Sequence, residues 1–112
     1  MNIVVLRGVL SSDPVQRDLP SGSTLWSIEV TTPSDDGSLS VPVVWFDPKA
    51  LPAVAAGDAV VVVGAVRRRF FRTGSATQSR TEVVASEVIT EKPVARSRRA
   101  VEKALARCQP AP

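Results

Sequence analysis

The sequence predicts an all-β domain, a small five-stranded barrel followed by a basic C-terminal appendage. Three observations carry that expectation. Short β-branched and apolar runs recur along the chain, separated by Gly, Pro, Ser and Asp turn signals. One run, residues 58–66, has valine at four successive positions, 60–63, the pattern of a strand covered on both faces. That run continues without a break into Arg67, Arg68, Arg69, Phe70, Phe71 and Arg72, a composition suited to a hairpin tip standing clear of the core. With 112 residues the chain has room for one core, so residues 1–92 are read as the domain and residues 93–112 as a helix or tail.

Taken in order, residues 3–10 form the first strand, and Gly8 within it marks a bulge or the bend of a barrel corner. Ser11, Ser12, Asp13 and Pro14 end it with turn chemistry, and residues 15–20 are a connector. Residues 25–31 alternate cleanly, with Trp26, Ile28 and Val30 on the core side. A polar loop is expected over residues 33–38. The third strand, residues 39–46, carries Pro42, which points to an edge. Of its adjacent aromatics, Trp45 shares a face with Val41 and Val43, so Phe46 points outward. Asp47 and Pro48 look like an N-cap and first helical residue, predicting a short helix over residues 49–56 that ends at Gly57. The fourth strand, residues 58–72, turns through the tip into a fifth, residues 79–91. Pro93 marks a boundary, residues 95–108 have helical spacing at Val101, Ala104, Leu105 and Cys108, and residues 109–112 are expected to be disordered. Five strands with a helical turn between the third and fourth is the order of an OB-fold, a Greek-key barrel that binds oligonucleotides on one face and in its hairpin loops.

Composition narrows the function. The chain has no His, no metal-ligand cluster, no phosphate-binding glycine loop and no paired carboxylates in an apolar setting, so neither an enzyme nor a metal or other cofactor is expected. Cys108 is the only cysteine, which fits a reducing compartment. No apolar run approaches the roughly 20 residues that span a bilayer. A cytoplasmic protein with no membrane partner and no small-molecule substrate is the expectation. The formal charge is +3, and most of the fourteen Lys and Arg residues fall after residue 66, whereas the Asp residues all lie earlier. Such a split indicates a polyanionic partner.

The candidate site is the tip. Arg67, Arg68, Arg69, Arg72 and Arg80 lie between residues 67 and 80 with no Asp or Glu among them, and Phe70 and Phe71 are embedded in the charge. Guanidinium groups suit phosphates, and flat apolar rings suit unpaired bases. Alternation puts Arg67, Arg69 and Phe71 on one face and Arg68 and Phe70 on the other, with Arg72 and Arg80 beside the first set across the hairpin. Phe70 fits either a base platform or a plug at a subunit interface or barrel end. Arg17 fits either a phosphate contact or an ion pair with Asp13 or Asp18. The basic C-terminal segment would add nonspecific affinity, pack on another subunit, or be solvated.

Several of these segments resemble the bacterial single-stranded DNA-binding protein family. Residues 2–8 and 10–17, with Gly8, Leu10, Asp13, Pro14 and Arg17, are similar to its opening strand and the segment after it. Gly22 with residues 28–32, then residues 43–46, Gly57 to Gly64 and residues 81–84 are similar to its later strands in order and spacing. The resemblance covers about residues 2–90 and implies an OB-fold, sequence-tolerant binding of single-stranded DNA in replication, recombination or repair, and assembly into homodimers or homotetramers. It also implies base-stacking roles for Phe46 and Phe71. The chain departs from the family in having Ser40 and Val41 where an aromatic is common, a short loop after Pro33, and a basic segment in place of an acidic, Phe-terminated tail. These departures indicate a specialised or second-copy member. An RNA-binding OB domain and a protein-interaction subunit of a replication or repair assembly are the alternatives.

Overall fold

A computed structural model describes residues 1–49, 53–92 and 94–108. It contains β1 (Val4–Leu10), β2 (Val15–Asp18), β3 (Thr24–Ser34), β4 (Gly37–Phe46), β5 (Ala59–Thr73), β6 (Ala76–Thr90) and α1 (Val94–Arg107). The strands make one sheet in the order β1-β5-β6-β4-β3-β2, and an added β1–β3 pairing closes it into a ring compatible with a barrel. All contacts between neighbours are antiparallel except β4 with β6, which pair in parallel through Val43 with Val83 and Val44 with Val84.

The ring closes because β1 changes partners along its length. Residues 4–9 pair with β5, and Val9 and Leu10 then pair with Thr31 and Val30 of β3. Gly8 sits at that change, where any Cβ would strike the Thr31 carbonyl and come within 2.8 Å of Val30 Cγ1. The corner expected there therefore depends on the missing side chain. Inside the ring, Leu10, Ile28, Val30, Val43, Val60, Val62, Val83 and Ala85 form the core, with Trp45 packed partly against it. On the other face of β5, Val61 and Val63 are covered by Ala104 and Val101 of α1. The doubly covered valine run thus has a ring core on one side and a helix on the other. The small buried residues Ser97, Ala100 and Ala104 let α1 approach closely, and Ser97 Oγ donates to the Glu91 carbonyl at 2.9 Å.

Several expectations are corrected. The connector at residues 15–18 is a sixth strand, an exposed one lying on β3 with Gln16 opposite Trp26. The polar loop shrinks to a turn at Asp35 and Asp36, since β3 and β4 pair as far as Ser34 with Gly37. β4 lies between β6 and β3 in the sheet, but Pro42 stands opposite Glu29 one residue before the β4 positions that pair with β6, so it occupies an unpaired stretch of edge, as Pro requires. The helix over residues 49–56 does not form at residue 49 or residues 53–56; residues 50–52, where the rest of that expectation falls, lie outside the described residues. Instead of capping a helix, Asp47 takes a φ of 44° and its carboxylate accepts from the Thr24 amide at 2.7 Å, tying the end of β4 to the start of β3. Asp is among the few residues other than Gly that adopt this backbone. In α1 the buried face is rotated towards residues 97, 100 and 104, leaving Leu105 and Cys108 exposed. Trp26 shares the core face but is only half-buried. The boundary at Pro93 and the tail at residues 109–112 also lie outside the described residues. None of the described helices is long and apolar enough to cross a membrane.

Candidate nucleic-acid interface

The site begins where β5 outlives its neighbour. β1 pairs no further than Val4 with Gly64, and Asn2 terminates the ladder by donating to the Val66 carbonyl at 2.7 Å and accepting its amide at 2.9 Å. Beyond Val66, β5 and β6 continue alone as a two-stranded arm that turns at Gly74 and Ser75. A register shift at Val63 and Gly64, with Ser86 as the extra residue on β6, lies at the base of this arm. A bulge of this kind increases local twist and re-aims the strands beyond it.

Cross-strand register then decides which side chains share a face. Arg67 is opposite Glu82, Arg69 opposite Arg80, and Phe71 opposite Gln78, giving one face. Arg68, Phe70 and Arg72, opposite Thr81, Ser79 and Thr77, form the other. Arg80 joins the Arg67, Arg69 and Phe71 set as expected; Arg72 does not, because its position in the period of two turns it away. The first face curls towards the outer surface of β3 and β4 and encloses a groove of about 410 Å³. Arg67, Arg69, Arg80, Phe46 and Arg17 all line it. Five residues distant in sequence, from β2, β4, β5 and β6, thus meet there. Leu19, Leu25, Val44 and Pro42 add apolar walls.

Within the groove the arginines are not all free. Glu82 is only 2% exposed. Its carboxylate pairs with Arg67 Nη2 at 2.5 Å and with Arg69 Nε at 3.5 Å. The charge run legible in the sequence ends at residue 80, so Glu82 was not among the expected site residues. The signal was present: folding the chain about Gly74 and Ser75 brings Glu82 opposite Arg67. Arg17, Arg68, Arg72 and Arg80 form no ion pair among the described residues, so the rival pairing of Arg17 with Asp13 or Asp18 is absent. Asp13 instead accepts from the Ala56 amide at 2.8 Å, and Asp18 from Gln16 at 3.3 Å.

Each of Arg67, Arg68 and Arg69 is matched to a ring. Arg67 lies over Phe46 at 5.4 Å, Arg69 over Phe71 at 5.4 Å, and Arg68 over Phe70 at 5.8 Å. Cation–π contact of this kind orients both partners and leaves the other ring face available. Phe46 and Phe71 are partly buried, whereas Phe70 is 67% exposed on the opposite face, away from the groove. Arg67 Nε is buried with no hydrogen-bond partner, an unsatisfied donor of a type that folded proteins rarely leave. The second carboxylate of the groove, Glu29, accepts from Ser40 Oγ at 2.8 Å.

Chemically, the groove presents four guanidinium groups, two carboxylates that are already engaged and the Phe46 ring, while Phe71 lies under Arg69 on the same face of the arm but does not line the groove. It can hold phosphates and stack planar groups. No protein-family model matches the chain, and no curated protein matches it.

Proposed function

We propose that this protein is an OB-fold module that binds single-stranded DNA with little sequence preference, in the manner of the family its segments resemble. The observation that carries the reading is the convergence of Arg17, Phe46, Arg67, Arg69 and Arg80 on one groove between the outer face of β3–β4 and the β5–β6 arm. OB-folds bind oligonucleotides on the face of their second and third strands and with the loops after the first and fourth. With β2 counted as part of the first long loop, those elements are β3, β4, the β2 segment and the arm. The parallel β4–β6 junction within an otherwise antiparallel ring supports the same topology.

In this reading Phe46 and Phe71 take bases on their free faces, each stacked base contributing about 1–3 kcal/mol. Arg80 and Arg17 neutralise phosphates directly. Arg67 and Arg69 are held in place by Glu82, which fixes their direction at the cost of one unit of positive charge. A duplex has no exposed base faces for the rings, so single strands are preferred. Few groups in the groove are placed to read base edges, which keeps recognition sequence-tolerant.

The test is an anisotropy titration with an oligo-dT, a matched duplex and an oligo-U at several salt concentrations. The expected result is tight oligo-dT binding, much weaker duplex binding, and a log–log salt slope of about −2 or steeper, since each single-strand phosphate contact contributes about −0.7. Equal affinity for duplex and single strand overturns the reading. A clear preference for oligo-U moves it to RNA.

A further inference from the structure

We propose that the crevice between α1 and the far end of β4 is a second contact surface for the same nucleic-acid strand. A strand leaving the arm groove passes over Phe46 and continues along the basic flank of α1. The proposal rests on the single-strand reading of the groove given above.

The first observation is continuity. Phe46 lines the arm groove and also lines a second cavity of about 860 Å³ on the other side, bounded by α1, β6 and residues 47–49. One ring therefore separates two concavities. The second observation is charge. Arg96, Arg99 and Lys103 all line this crevice, and their spacing puts them on a single flank of the helix, beside the buried stripe of Ser97, Ala100 and Ala104. Lys49 faces them from the segment after β4. None of the four cations has an ion-pair partner among the described residues. The two carboxylates on the crevice wall are Asp47 and Glu87, and Asp47 is already bonded to the Thr24 amide.

A basic helix face is ordinarily just solvated. Here the cations border a concavity instead of a convex surface, and half-buried Trp45 and Val88 give it apolar walls. Like charges gathered on facing walls repel one another, and a bound polyanion relieves that repulsion. The backbone of a single strand matches the sign of such a channel.

The experiment compares two triple variants of the full chain. Arg96→Gln/Arg99→Gln/Lys103→Gln neutralises the three helix cations of the crevice, and Lys92→Gln/Arg98→Gln/Arg107→Gln removes the same charge from exposed positions outside it. Gln keeps the helix propensity of the residues it replaces, and circular dichroism checks that both variants fold. Binding is measured to an oligo-dT of about 8 nucleotides, which fills one OB-type groove, and to one of about 30. The crevice variant is expected to lose about 10- to 100-fold in affinity for the long oligomer, with a salt slope shallower by about 2. It should bind the short oligomer as the unaltered protein does, and the outside variant should lose much less on either. Equal losses in the two variants, or no loss in the crevice variant, overturn the second surface while leaving the arm groove intact. Absence of oligo-dT binding by the unaltered protein overturns the groove reading itself.

Discussion

The two halves of β5 obey the same backbone rule and do opposite work. In residues 60–63 alternate side chains enter two covered spaces, the ring core and the underside of α1, so both faces are valine. In residues 67–73 the strand has outrun β1 and α1, and alternate side chains enter a groove or open solvent. The residues change from Val to Arg and Phe at the point where the neighbours stop. One continuous strand therefore links a rigid interior to a charged arm. The valines fix where the arginines stand, and the arginines carry no part of the core.

That contrast makes separable predictions. The largest effect is expected at Gly64, in the hinge between the halves. A Cβ there would strike the Val84 carbonyl and come within 2.9 Å of Ala85 Cα, both backbone and neither free to yield. Gly64→Ala is expected to destabilise the domain by roughly 3 kcal/mol or more in urea unfolding, since the bulge must rearrange. A variant as stable as the parent would show that the halves are not coupled through this close approach.

Next comes the pair Phe71→Ala and Phe70→Ala, adjacent residues on opposite faces of the arm. Both should leave unfolding midpoints nearly unchanged, because neither ring belongs to the core. Phe71→Ala is expected to weaken oligo-dT binding about 10- to 100-fold, the equivalent of one lost stacking contact. Phe70→Ala should change it by less than about threefold. Reversed magnitudes would place the nucleic acid on the other face of the arm.

The smallest effect on binding, and the sharpest on mechanism, is expected from Glu82→Gln. Removing the carboxylate frees Arg67 and Arg69 and should steepen the salt slope by about 0.7, one further phosphate neutralised. It should also cost about 1–3 kcal/mol of stability, because two guanidinium groups lose a buried, charged acceptor. An unchanged slope would mean that the two arginines do not meet the phosphate backbone.

Much of this was legible in the residues. Alternation at 25–31 and the valine run at 60–63 report burial directly, because a strand's period matches the spacing of its covered face. Clustering of Arg67, Arg68, Arg69 and Arg72 around two phenylalanines marked the arm without any knowledge of the ring. Short-range signals failed where the answer depended on a distant partner. Asp47 and Pro48 look like the start of a helix, yet the Asp47 carboxylate is taken by Thr24. Residues 15–18 lack a strong strand pattern and become β2 because the edge of β3 is available beside them. Leu105 has the spacing of a core residue, but small Ala104 packs on Val61 and Val63 of β5 and takes that place.

By itself the sequence determined that strands form, which residues alternate, and that a cationic aromatic arm exists, since these follow from the steric period of a single extended chain. Only the tertiary structure decided that Glu82 holds two of the arginines, that Arg72 turns away, that Phe46 and Arg17 join the arm, and that α1 lies beside them. The reason is physical: pairing register and ring closure juxtapose residues far apart in the chain, and no local propensity encodes which of them will meet.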